Sequence, residues 1–213
     1  MKKEKKKIHI IIQARLESTR FPNKILETLN KKTILKTLLD RLKRSKIADK
    51  IIVAIPKNKR NLALKNYILS NKSIKIYEGS SQNVLSRYFG AAKKFSSEII
   101  VRITSDCPLI DTEILDKMIL KFIELKVDYL SNTLKPTFPD GYDIEIFNFE
   151  TLKETFVNAK KLIDQEHVTS YMKRNKKKFK LKNYFHKINL SNLRLTLDEK
   201  VDFELISNVT NVV

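Results

Sequence analysis

Residues 8–24 read IHIIIQARLESTRFPNK, and the rest of the chain is organised around this stretch. It opens as an isoleucine-rich apolar run, Ile8 to Ile12. It then turns abruptly polar and cationic through Gln13, Arg15, Ser18, Thr19, Arg20 and Lys24, with Pro22 excluding a continuous helix. An apolar strand, a cationic loop and then a helix is the layout of an α/β nucleotide site, because open α/β sheets bind ligands outside the carboxyl ends of their strands. Arg15, Arg20 and Lys24 suit a polyphosphate, since an arginine holds phosphate oxygens in a bidentate fork. On spacing alone the stretch reads equally well as a basic surface loop in a basic protein.

The chain has 213 residues, 42% of them hydrophobic, enough for one α/β domain with a sizeable core. No apolar run reaches the length of a membrane span. The charged start, MKKEKKK, leads into an apolar run too short for a secretory signal. The single Cys107 excludes an internal disulfide and fits a reducing cytoplasm. A formal net charge of +19 would suit nucleic acid. The excess is mostly lysine, spread along the whole chain beside heavy use of Ile and Asn. It reads as compositional bias on solvated faces rather than as a nucleic-acid surface.

Downstream, an amphipathic helix is expected over 33–45, with Ile34, Leu35, Leu38, Leu39 and Leu42 on one face. A buried strand follows at 49–56, a helix at 59–70, a strand at 74–77 and a helix at 82–95. Next come a strand at 98–104, a helix at 111–125 with Asp111 as its N-cap, and a strand at 128–131. This alternation means βαβ units, an α/β fold with a mostly parallel mixed sheet. The rhythm breaks after Asn132. A strand at 143–147, helices at 150–159 and 164–174, strands at 180–185 and 193–197 and a terminal helix from Val201 follow. With neither an internal repeat nor a linker, residues 1–213 read as one domain, with a small lobe added at about 133–185.

Residues 99–106, IIVRITSD, are informative by their alternation. Period two puts Arg102, Thr104 and Asp106 on one side of the strand and Val101 and Ile103 on the other. An arginine inside an apolar strand needs a partner or a ligand. Asp106 ends that strand beside the cationic loop, where it would either ligate Mg²⁺ or cap the turn made with Pro108. In residues 78–88, EGSSQNVLSRY, Ser80 or Ser81 would cap a helix on local grounds. His9 and His186 sit in no motif.

These segments together resemble the cytidylyltransferases that activate acidic sugars. The nearest branch is the spore-coat-polysaccharide-biosynthesis type, related to the CMP-sialate and CMP-Kdo synthetases. The matching segments are Gln13-Ala14-Arg15 with Ser18-Thr19-Arg20, Pro22 and Lys24; Gly79-Ser80 with Val84-Leu85 and Arg87-Tyr88; residues 104–111, TSDCPLID; residues 139–145, PDGYDIE; Glu166-His167-Val168-Thr169; and residues 193–198, LRLTLD. The resemblance runs from residue 8 to about 206. It implies a nucleotide-diphospho-sugar-transferase-like domain, Rossmann-like with three α/β/α layers.

It further implies nucleotide contacts from Gln13, Ala14, Arg15, Ser18, Thr19, Arg20 and Lys24, from Gly79, Ser80, Asn83, Val84 and Arg87, and from Arg102, Thr104 and Asp106. Asp106 and Asp198 would hold Mg²⁺, with Asp198 ending its own short strand. Two carboxylates brought that close would repel each other until a cation relieves them. Arg15 and Lys24 would share the catalytic work with these aspartates by neutralising the departing pyrophosphate. Asp140, Asp143, Glu145, Glu166, His167 and Arg194 would face the acceptor.

The family usually has glycine where this chain has Glu17, and often where it has Asn23. Asn23 can take up the left-handed region. Glu17 either points to solvent or weakens nucleotide binding. The activity implied is transfer of CMP from CTP to an acidic sugar, nonulosonate or Kdo-like, by a cytoplasmic homodimer. Other readings are a nucleotidyltransferase with a phosphorylated acceptor, a related glycosyltransferase, whose D-x-D metal motif is missing after any suitable strand, and a non-catalytic basic binding module.

Overall fold

The apolar run at 8–12 becomes β1 (Ile8–Gln13), an interior strand of a seven-stranded sheet in the computed structural model, which describes residues 5–29 and 31–212. Of the charged start, residues 1–4 lie outside the described residues. β1 is flanked in parallel by β4 (Lys50–Pro56) and β6 (Ile99–Thr104), with β5 (Ile74–Gly79) parallel beyond β4. On the other side β8 (Glu145–Asn148) runs antiparallel between β6 and β7 (Tyr129–Ser131), and β9 (Leu181–Asn183) is the last strand.

Both faces of the sheet are covered, which is why β1 is continuously apolar rather than alternating. Residues from α1 (Ile34–Leu42), α2 (Leu62–Leu69) and α4 (Thr112–Leu125) pack with Ile10 and Ile12 on one face. Residues from α3 (Val84–Lys94), α5 (Phe149–Asn158) and α7 (Ser170–Arg174) pack with Ile11, Ile52 and Ile100 on the other. Ile10, Ile11 and Ile12 have no exposed surface, and burial of each contributes roughly 1.5–3 kcal/mol. The result is the expected α/β/α arrangement around a mixed sheet. The stretch 133–185, expected as an added lobe, contributes β8 and β9 to the main sheet, and its α5 stacks Phe156 on Phe89 of α3 at 4.3 Å.

One element was not expected, and three expectations need correction. A two-strand hairpin, β2 (Thr28–Leu29) with β3 (Lys32–Thr33), precedes α1 and is too short to carry a periodic signal. The helix expected at 164–174 is two, α6 (Leu162–His167) and α7, because the buried Val168 takes φ 51°. A β-branched residue at positive φ is uncommon and requires outside support. That support comes from Thr169, whose hydroxyl donates to the Glu145 carboxylate at 2.7 Å. Helix α3 is capped by Asn83, which accepts from the Ser86 N–H at 2.8 Å, and not by Ser80 or Ser81.

Residues 193–197 do not form the expected strand. Their backbone is engaged with two loops instead. Leu195 N–H donates to the Asp140 carbonyl at 2.7 Å, Leu197 N–H donates to the Asp106 carbonyl at 2.8 Å, and only an isolated bridge joins Asp140 and Arg194. Asp198 therefore follows an extended crossing segment, and the chain then enters α8 (Lys200–Val212). Gly141 makes this crossing possible. Its φ is +102°, and a Cβ there would fall 2.5 Å from the Leu195 carbonyl carbon. Gly141→Ala is expected to lower stability by about 1–3 kcal/mol through backbone strain and to speed amide exchange at Leu195 and Leu197. Urea unfolding with hydrogen exchange checks both effects.

Candidate functional site

The ends of β1 and β6, the loop 14–24 and the crossing segment enclose a cleft of about 460 Å³. Its wall contains Gln13, Ala14, Arg15, Ser18, Thr19, Arg20 and Lys24 from the loop. Val84 and Arg87 come from α3, and Arg102, Thr104 and Asp106 from β6 and its end. Asp140, Asp143, Glu166, His167 and Asp198 complete the set named from sequence. Ser105, Cys107 and Thr196 also line it and were not singled out. Each lies next to, or two residues from, a named aspartate, so adjacency was their only signal. A larger hollow of about 570 Å³ lies at the opposite ends of the strands, among Lys6, Lys93, Ser97, Asn148 and Phe149, and holds none of these motifs.

The loop is wound around Leu16, whose carbonyl accepts from Ser18 N–H at 2.9 Å and Asn23 N–H at 3.0 Å. Asn23 takes the left-handed conformation at φ 59°, as an asparagine can in place of glycine. The loop also presents Arg15 and Arg20 to solvent. Lys24 opens a short 3-10 turn, Lys24–Leu26, and points across the cleft. Its ammonium donates to the Leu197 carbonyl and to Asp198 at 3.0 Å.

Asp106 and Asp198 are brought to one cleft by backbone. The Asp106 carbonyl takes the Leu197 N–H and, at 3.2 Å, the Thr196 hydroxyl. The expected mutual repulsion of the two carboxylates is not the dominant effect at Asp198. Lys24, Arg20 at 3.2 Å and Arg194 at 3.5 Å surround it. Burial would raise its carboxyl, but these cations outweigh burial and hold it below the usual range.

Arg102 forms the floor. It pairs with Glu145 opposite it on β8, donates to Gln13 Oε1 at 3.0 Å and lies 5.7 Å from the Tyr88 ring centre. Burial would lower its pKa, and the charge of Glu145 reverses this and raises it. Glu145 itself is 2% exposed and does not reach the cleft, contrary to its expected acceptor role. Its oxygens accept from Arg102, Tyr129, Thr169 and Lys173. Burial alone would raise its carboxyl, but Arg102 and Lys173 hold it at about 2.

Arg87 differs from the other cleft cations. It is 2% exposed, its Nη1 donates to the Ser80 carbonyl at 2.8 Å, and it pairs with no carboxylate among the described residues. Its buried Nε has no partner there either. Burial and the charge of Arg15 lower its pKa. Gly79, Ser80 and Asn83 support Arg87 and α3 rather than lining the cleft. A Cβ at Gly79 would fall 2.9 Å from Arg87 Cγ, and Ser80 Oγ accepts from Asn83 N–H at 3.0 Å. Arg194 is likewise outside the wall, bound to Asp140 at 2.8 Å and to Asp202 at 3.0 Å.

Glu17 is turned sideways, away from the cleft. Its carboxylate accepts from Asn61 Nδ2 at 2.9 Å and Asn58 Nδ2 at 3.3 Å, a placement that neither alternative drawn from sequence included. The acceptor side of the wall is acidic. Burial, then the charges of Asp140, Glu145 and Asp106, push the Asp143 carboxyl from 3.8 up to about 6, against the pull of Arg102. The folded protein thus favours protonated Asp143. The stability this contributes is complete below about pH 4 and is lost as pH rises through about 6. Carboxyl-detected NMR of the free protein should show Asp143 titrating near 6, and Asp143→Asn should flatten the fall in stability across that window. A titration near 4 would contradict the crowding.

The cytidylyltransferase family profile matches residues 9–207. A spore coat polysaccharide biosynthesis protein, SpsF, of Bacillus subtilis is 29% identical over 206 residues, spanning 93% of this chain and 84% of that one. A 3-deoxy-manno-octulosonate cytidylyltransferase of Chloroherpeton thalassium is 31% identical over 135 residues, 63% of this chain and 54% of that one. A solved cytidylyltransferase from Leptospira borgpetersenii serovar Hardjo-bovis superposes with a TM-score of 0.93 at 34% identity, over 98% of this chain and 88% of that one. No helix among the described residues is long and apolar enough to cross a membrane.

Proposed function

The chain belongs to the cytidylyltransferase family, and on that premise we propose that it transfers CMP from CTP to an acidic sugar and releases pyrophosphate. The observation that carries this reading is the backbone contact of Asp106 with Leu197, which sets two aspartates in one cleft with the cationic loop. In this reading a sugar hydroxyl attacks the α-phosphorus in line, and the bond to pyrophosphate breaks. No covalent nucleophile is needed, because positioning and electrostatics can carry such a reaction.

Arg15 and Arg87 have no ion-pair partner among the described residues, so both are free to take phosphate oxygens. Lys24 and Arg20 exchange Asp198 for phosphate as the nucleotide enters. Asp106 and Asp198 fit Mg²⁺ as hard oxygen donors. Among the described residues no third His, Cys, Asp or Glu joins them, so the remaining ligands would be phosphate oxygens and water. The ion would offset charge developing on the phosphate oxygens. To hold the ion, Asp198 would have to give up its contacts with Lys24 and Arg20.

A second reading concerns the acceptor. Asp140, Asp143 and Glu166 line its side of the cleft, which favours a hydroxyl- or amine-bearing sugar over a carboxylate. The stretch 133–185 would form the contact of a homodimer, with exposed Val157, Leu162 and Ile163 available to a second copy. The protein would act in the cytoplasm, in keeping with its single unpaired Cys107.

Pyrophosphate release with Mg²⁺, each of the four NTPs and a panel of acidic, phosphorylated, neutral and amino sugars tests the reaction. CTP with an acidic sugar is expected to turn over fastest. Preference for another NTP would sink the proposal, and preference for a neutral or amino sugar would move it to the second reading. Asp106→Asn and Asp198→Asn should each reduce turnover on the order of 100-fold or more, with the double variant little worse than either. Near-normal turnover in both single variants would leave them as structural caps.

A further inference from the structure

We propose that Glu17 is a positioning residue that fastens the nucleotide loop to the turn at 58–61 and to the support of Arg87. The proposal rests on the reading of loop 14–24 as the nucleotide's phosphate seat.

The family resemblance implies glycine at this position, yet the backbone here does not call for it. Non-glycine residues with positive φ are Asn23, Lys31, Ser96, Lys126 and Val168, and Glu17 is not among them. The side chain therefore occupies ordinary backbone, and its partners define its role. Asn61 is 1% exposed and binds the loop with both ends of its amide. Its Oδ1 accepts from Leu16 N–H at 3.0 Å, and its Nδ2 donates to Glu17 Oε2 at 2.9 Å. Asn58 extends the link. Its Nδ2 lies within 3.3 Å of both Glu17 Oε1 and Ser81 Oγ, and its Oδ1 accepts from Asn61 at 2.8 Å. Arg60 adds a looser ion pair at 3.8 Å.

This network joins three segments that leave neighbouring parallel strands, beyond the bond from Lys57 N–H to the Gly79 carbonyl at 2.8 Å. One is the loop with Arg15, one is the 58–61 turn, and the third is 80–81, whose carbonyls hold Arg87 Nη1. Both arginines without a carboxylate partner thus hang on the same cluster. The charge of Glu17 also favours the charged form of Arg87, opposing burial and Arg15. A glycine at this position would leave the buried Asn61 amide one acceptor short and would free the loop backbone, so the network predicts a loss of affinity. Charge and backbone freedom considered alone predict the opposite, a gain on removing a carboxylate near a triphosphate.

The test compares Glu17→Gly and Glu17→Gln with the unaltered protein. Hydrogen exchange on the free protein should show Leu16 and Ser18 amides exchanging at least about tenfold faster in Glu17→Gly, because the charge-assisted bonds that hold the loop are gone. CTP binding by calorimetry with Mg²⁺ should weaken about tenfold, with KM rising in step and kcat within about threefold. Glu17→Gln keeps a carbonyl for Asn61 and should stay within about threefold of the unaltered protein in each measurement. Unchanged exchange in Glu17→Gly, or CTP binding equal to or tighter than normal, overturns the proposal. If the unaltered protein binds no CTP, the functional reading fails, while the exchange comparison still decides whether Glu17 anchors the loop.

Discussion

Arg102 and Glu145 face each other across the antiparallel seam between β6 and β8, and much of the site hangs from that pair. Two charges buried together are costly to desolvate, and removing one partner of such a pair typically costs 3–5 kcal/mol because the other is left uncompensated. The pair therefore penalises any shift of register along the seam, since a one-residue slip would turn Glu145 to the other face. Through its other oxygen, Oε1, Glu145 also takes Thr169 and Lys173. Those bonds sustain the turn at Val168, which brings Glu166 and His167 to the wall of the cleft. One carboxylate thus sets the floor and one side of the site without touching a ligand.

The opposite side is closed by the crossing segment. Arg194 gathers Asp140, Asp198 and Asp202, and Asp202 in turn accepts the N–H groups of Asp198 and Glu199 at 2.8 Å. Acceptance of helix-entry donors by a carboxylate is favourable at a helix N-terminus. Burial would raise the Asp202 carboxyl, but Arg194 and the two N–H groups together outweigh burial and hold it at about 2. Phe21 of the loop meets Phe203 of α8 edge-on at 6.2 Å, so loop 14–24 and the terminal helix share a small core of their own. Loop 14–24 is therefore held from below by β1, from the side by Asn58 and Asn61, and from above by α8.

The sheet was legible because β1, β4 and β6 are buried on both faces and mostly apolar, interrupted only by His9 and by Arg102 within 8–12, 51–55 and 99–103, while α1 and α4 show clear one-sided stripes. The cleft was legible because its motifs end strands, and strand ends of an open sheet converge. What escaped notice depends on partners distant in sequence. Residues 193–197 have the composition of a strand, and only the loops at 106 and 140 decide that they cross instead. Val168 looks like ordinary helix until Thr169 finds Glu145. Glu145 reads as a site acid because nothing local reveals that Arg102 lies opposite in register. Glu17 was judged by charge alone, since the asparagines that hold it come more than forty residues later.

Charge balance connects these points. The free cleft is nearly self-neutralised: Arg102 faces Glu145, Lys24 and Arg20 face Asp198, and Arg194 faces Asp140 and Asp202. Among the described residues, Arg15 and Arg87 are the cleft arginines with no carboxylate ion pair, and both lie on the side of the loop. Asp143 and its acidic neighbours stand across from them, crowded enough that one carboxyl is raised to about 6. A polyanion entering on the arginine side meets unpaired cations first. It then competes with Asp198 for Lys24 and Arg20, and the carboxylate it releases is one of the two that can accept a divalent ion. The same exchange would not work with a pre-formed metal site, because a carboxylate already committed to metal could not keep the lysine and arginine in place beforehand. The ion pairs of the free protein therefore both stabilise the closed crossing segment and hold Lys24 and Arg20 in position, where on the proposed reaction a phosphate would replace their partner.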